Sequence, residues 1–79
     1  MVEQEILQDL NDLFCVFFKD KNLVISHQTT AHDINDWDSF SHMELMTSIE
    51  NEFKIQIPFT EMMEFNTVGD MVKFIKSAV

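Results

Sequence analysis

Apolar positions along the chain repeat at helical spacing in three stretches. Ile6, Leu7, Leu10, Leu13, Phe14, Phe17 and Phe18 fall in one stripe when successive residues are turned by about 100°, which predicts a first helix with a single apolar face. From residue 19 to residue 37 no period is sustained, and Asp, Asn, Thr and His are frequent. That composition predicts a long loop pinned by Leu23, Val24, Ile25 and Ile34, and a loop of such length in a small domain is often functional. Helical spacing returns from Ser39 to Phe53 without Gly or Pro, and Asp38 stands where a side chain would cap the free N–H groups of a helix start. Lys54 to Pro58 reads as a crossing segment with Ile55 and Ile57 on one side, and Pro58 excludes one continuous helix from Ser39 onward. Thr60 is then expected to cap one or two helical turns running through Phe65. Thr67, Val68, Gly69 and Asp70 have the form of a capping box, and Val68, Met71, Val72 and Ile75 make the face of a last helix. The pattern thus predicts an all-α fold: a small four-helix bundle, three main helices and one short one, with a long loop between helices one and two. No repeat, low-complexity tract or internal linker interrupts residues 1–79, which read as a single domain.

The second helix has two apolar sides. On a wheel, Leu45, Met46, Ile49 and Phe53 share an arc of about 100° and form the core face. Phe40 and Met43 do not join them; with Thr47 they make a smaller patch on the far side, flanked by Glu44 and Glu50. That side of an amphipathic helix should be wet, so large apolar groups there suggest a surface that receives partners. The patch begins one residue after Ser39, at the positive end of the helix dipole, where N–H groups suit a phosphate ester. His42 falls towards the core face and is expected to be packed and hydrogen-bonded, without a catalytic role.

Composition narrows the function further. The chain has 46% hydrophobic residues with eight Phe and six Met, enough for one packed core in 79 residues. Its net charge of −9, with five Lys and no Arg, would repel nucleic acid and anionic lipid and attract basic protein patches. One Cys excludes an internal disulfide, and one Cys with three scattered His does not make a zinc site. No metal site is expected. Asp33, Asn35 and Glu44 fit positions 1, 3 and 12 of a calcium loop, but that frame puts Trp37 at position 5 and Asp38 at position 6, where the turn needs Gly. No apolar run approaches the ~18 residues of a membrane span, and the first residues lack the basic-then-apolar order of a signal peptide. A cytoplasmic monomer is the expectation. Cys15 has no cationic neighbour in sequence to activate it, and His27 and His32 are expected to be solvated.

Asp36, Trp37, Asp38, Ser39 and Phe40, followed by Met43, Glu44 and Leu45, resemble the attachment site of acyl carrier proteins. Glu50, Glu52, Phe53, Ile55, Ile57 and Pro58 are similar to the family's stretch that ends helix two and enters the next loop, and Thr67 to Asp70 resemble the start of its last helix. The resemblance covers nearly the whole chain. It implies that a phosphopantetheinyl transferase moves 4'-phosphopantetheine from coenzyme A onto the Ser39 hydroxyl, and that acyl groups are then held as thioesters. It implies no catalytic residue in this chain. Asp38 and Glu44 would be acidic contacts to basic patches on the transferase and on acyl-loading and acyl-using enzymes, with Phe40, Met43, Thr47 and Glu50 beside them. A pocket for the acyl chain would be lined by Leu45, Met46, Ile49, Phe65 and Met71. Three positions depart from the family pattern: Phe40 replaces a common Leu, Ser41 an acid, and Lys54 a Gly. With Trp37 ahead of Asp38 they point from housekeeping fatty acid biosynthesis towards specialised carriers of polyketide, lipid-modification or amino-acid-loading pathways. Asp38 argues against the peptidyl carriers, which place Gly and His ahead of the serine. The competing reading is an acidic helical interaction domain without a prosthetic group.

Overall fold

The computed structural model describes residues 1–79 and contains four α-helices: α1 (Glu3–Phe17), α2 (Ser39–Phe53), α3 (Phe59–Glu64) and α4 (Val68–Ala78). A single 3₁₀ turn, Ala31–Asp33, lies in the connection from α1 to α2. The three long helices bury the faces that their periodicity predicts. Ile6, Leu10 and Phe14 of α1, Leu45, Met46 and Ile49 of α2, and Val68, Met71, Val72 and Ile75 of α4 close one core. Each such side chain contributes about 1.5–3 kcal/mol on burial, which is what holds so small a chain together without a disulfide. Phe53 is only half-buried at the end of the α2 face. α1 packs chiefly against α4 and meets α2 more sparingly.

The long connection is fastened at both sides. The Asn11 carboxamide on α1 donates to the Leu23 carbonyl (3.2 Å) and accepts from the Ile25 N–H (2.7 Å), and the Cys15 thiol donates to the same Leu23 carbonyl at 3.2 Å. Ile25 and Ile34 are buried and Leu23 is half-buried, as expected. Val24 is not an anchor: it is 83% exposed. With the backbone of residues 23 and 25 turned onto α1, the side chain between them faces out. Further along, the carbonyls of His27 and Thr29 accept from the N–H groups of Gly69 and Val68, both at 2.9 Å, satisfying two free donors at the start of α4. Gly69 permits this approach, because a Cβ there would lie 2.9 Å from the His27 carbonyl oxygen.

The helix boundaries follow their caps. Thr67 accepts from the Asp70 N–H (3.2 Å) while the Asp70 carboxylate accepts from the Thr67 N–H (3.2 Å), so the box expected for α4 forms. The short helix starts earlier than expected. Thr60 lies inside α3, Pro58 occupies the cap position and Phe65 falls just outside the helix. Pro58, at φ −57°, already has a near-helical φ, and its carbonyl accepts from the Met62 N–H at 3.0 Å. At their other ends α1 and α2 turn off through Lys19 and Lys54, both in the left-handed region at φ 55°. The Asp20 N–H reaches the Cys15 carbonyl (2.9 Å) and the Ile55 N–H the Glu50 carbonyl (3.1 Å), the wide closing bonds of such helix ends.

Candidate functional site

The first turn of α2 is built by a reciprocal cap. One oxygen of Asp38 accepts from the N–H groups of Phe40 (3.0 Å) and Ser41 (2.8 Å). Ser41 answers: its hydroxyl accepts from the Asp38 N–H at 2.9 Å and donates to the Asp36 carbonyl at 2.8 Å. The Ser41 N–H above all holds the Asp38 carboxyl below its ordinary pKa; desolvation opposes it, and the hydroxyl of Ser41 and the N–H of Phe40 add to the lowering. Ser39 sits at the first helical position, exposed, and the bonds of the cap run through Asp38, Phe40 and Ser41 and pass its side chain by. Its hydroxyl is therefore free to react at the positive end of the dipole of a 15-residue helix.

A buried aromatic fixes the approach to this turn. Trp37 packs edge-on against Phe14, with ring centroids 5.4 Å apart, and stacks on His42 at 5.9 Å with planes 15° apart. The Trp37 indole N–H donates to His42 Nδ1 at 3.0 Å, and His42 Nε2 stands 2.9 Å from the Met62 carbonyl oxygen. With its proton on Nε2, the imidazole accepts from the loop and donates to α3 at once. Through this packed, fully bonded His42 the residue two before Ser39 is tied to α2 and α3, and through Phe14 it is tied to α1. Neither Trp37 as an anchor nor Asn11 as a clasp had a signal in the spacing of the chain.

Of the side chains read as partner contacts, four are exposed along α2 from the Ser39 end onward. Phe40 is 77% exposed, Met43 and Glu44 are exposed, and Thr47 is exposed with its hydroxyl donating to the Met43 carbonyl at 3.2 Å. Glu50 is half-buried, and its carboxylate accepts from the Ile57 N–H at 2.8 Å, so it supports the loop after α2. On α3, Phe59 and Met63 are exposed four residues apart. Their spacing is visible in the sequence, but the helix is too short for it to stand out.

Four of the five residues read as an acyl pocket come together as closed core: Leu45, Met46 and Ile49 are fully buried and Met71 nearly so. None of them lines any of the four principal surface clefts. Phe65 lies at the edge of the core, half-buried and edge-on to Phe74 with centroids 5.9 Å apart. No group of three or more His, Cys, Asp or Glu is arranged to hold a metal ion, and no helix is long and apolar enough to cross a membrane.

Comparison with known proteins bears on the same turn. The family model described as "Phosphopantetheine attachment site" matches residues 36–75. An acyl carrier protein of Lactobacillus acidophilus is 36% identical over 78 residues, covering 98% of this chain and 96% of that protein. One of Rickettsia massiliae is 38% identical over 58 residues, 73% of this chain and 66% of that one. Among solved structures, a holo acyl carrier protein from Geobacter metallireducens superposes with a TM-score of 0.85 at 35% identity, over 91% of this chain and 83% of that chain.

Proposed function

From the premise that this chain belongs to the acyl carrier protein family, non-catalytic carriers with a phosphopantetheine attachment site, we propose that Ser39 is the residue that bears the arm. The observation that carries this reading is the exposed Ser39 hydroxyl at the first position of α2, inside the matched segment and left free by the cap around it. When bound, 4'-phosphopantetheine supplies a terminal thiol on which acyl groups are held as thioesters. The chain's own part is to present the hydroxyl, to favour the phosphodiester charge with the helix N-terminus, and to offer partners a recognisable surface. Asp38 and Glu44 would meet basic patches on the transferase and on the acyl-loading and acyl-using enzymes, while Phe40, Met43 and Thr47 supply apolar contact beside them. Glu50 serves the same surface by holding the loop that follows α2. Residues 1–79 act as one carrier domain. Trp37 ahead of Asp38, with Phe40, Ser41 and Lys54 in place of the common Leu, acid and Gly, supports a specialised pathway over housekeeping fatty acid synthesis, and the acyl group found on the purified protein identifies that pathway.

Incubation with coenzyme A and a promiscuous phosphopantetheinyl transferase, followed by intact-mass measurement, tests the attachment. One arm is expected on the wild-type chain and none on Ser39→Ala, with unchanged helical circular dichroism. A chain that gains no mass would instead be an acidic interaction domain, and a gain that survives Ser39→Ala would move the arm to another residue.

A further inference from the structure

We infer that the cleft between α1 and the C-terminal half of α2 is a second docking surface, shaped for a basic amphipathic segment of a partner protein. The cleft, of about 510 Å³, is lined by a half-buried apolar pair, Leu13 and Phe17, with exposed Val16 beside them, and by the carboxylates of Asp9, Asp12 and Glu52. It exists because α1 leans on α4 and meets α2 sparingly. Val16, one residue before the end of α1, is 79% exposed there and lies outside the Ile6, Leu10 and Phe14 stripe that closes the core. No cation lines the cleft. The ion pairs of the molecule both involve Glu3, and Asp12 accepts only a long bond from Gln8 at 3.4 Å. Lys19 and Lys54, the nearest lysines in sequence, lie beyond the ends of the two helices.

Charge selects the occupant. At a net charge of −9, a second copy of the chain, a nucleic acid or an anionic membrane would each bring like charge to these carboxylates. A segment that alternates apolar side chains with Lys or Arg satisfies the apolar lining and the carboxylates together. The cleft is also separate from the attachment turn. Ser48 and Glu52, which line it, follow Ser39 by nine and thirteen residues, on the order of 14–20 Å along α2 at about 1.5 Å per residue. Turned by about 100° per residue, that side lies roughly a quarter-turn from Phe40, Met43 and Thr47. A partner seated here leaves Ser39 uncovered, so the carrier can be held by one protein while its arm is served by another.

The test is an amide-shift titration of the ¹⁵N-labelled full chain, as wild type and as Ser39→Ala, with a synthetic 14-residue Leu/Lys amphipathic peptide at physiological ionic strength. A Leu/Gln peptide of the same apolar pattern is the control. Because Ser39→Ala cannot carry an arm, binding to it is independent of the carrier reading. Shifts centred on Leu13, Val16, Phe17, Ser48 and Asn51 are expected in both proteins. The double variant Asp9→Asn, Asp12→Asn should weaken binding by about fivefold, the sum of two exposed charge contacts, and Val16→Ser should weaken it through the apolar lining. Shifts centred on Phe40, Met43 and Glu44, equal binding of the Leu/Gln control, or unchanged affinity in both variants would overturn the proposal.

Discussion

The cap of α2 depends on the ionisation of a single side chain. Because the Ser41 N–H, first among the causes, favours the Asp38 carboxylate, the folded state holds this proton more weakly than the unfolded chain does. The stabilisation is therefore complete above the ordinary aspartate pKa and is lost as pH falls through the lowered folded value. Asp38→Asn keeps a cap oxygen but removes the titration, so the wild-type advantage in melting temperature over Asp38→Asn should be largest near neutral pH and shrink in acid. A gap that stays constant with pH would assign the stabilisation to geometry alone. Asp38 and Ser39 were legible in the sequence because capping is local, written within four residues. Ser41 was legible only as a missing acid; its reciprocal bond to the Asp38 N–H shows what it does instead. Asn11 and the Trp37–His42 pair were not legible as clasps, since their partners, Leu23, Ile25, Phe14 and Met62, lie many residues away and obey no period.

At the scale of elements, α1, α2 and α4 could be read because each has three turns or more over which an apolar face repeats. α3 has six residues, too few for a period, and its start was set by Pro58 and not by the hydroxyl of Thr60. Val24 misled for a related reason: an apolar residue in a loop obeys the backbone bonds of its neighbours, here those made by Asn11. The contact between the long connection and α4 was likewise invisible, although the glycine that permits it stands in a recognisable box. Gly69→Ala should gain about 1 kcal/mol of helix propensity and still destabilise the protein by about 1–2 kcal/mol net, because the new methyl group must push the His27 carbonyl away. Urea unfolding measures this directly. A neutral or stabilised variant would show that the connection can lift from α4 at little cost.

For the molecule as a whole, the acyl pocket proposed between α2 and α4 is closed. An acyl chain that enters must open the core between Leu45, Met46, Ile49 and Met71, and the flexible Met side chains are the ones able to yield. Binding inside the folded state alone stabilises it, so a long-chain acyl form should melt at a higher temperature than the phosphopantetheine form. Equal melting temperatures would place the chain outside the core and leave the carrier role intact. The distribution of charge among the four helices has a further consequence. α1, α3 and α4 each place carboxylates of their own in the first turn, Glu3 and Glu5, Glu61, and Asp70. α2 places none there. Three helices thus carry resident anions within their first turn, whereas the anion at the start of α2 is the Asp38 cap that precedes it, so the turn that opens at Ser39 adds no carboxylate of its own to repel an incoming phosphate.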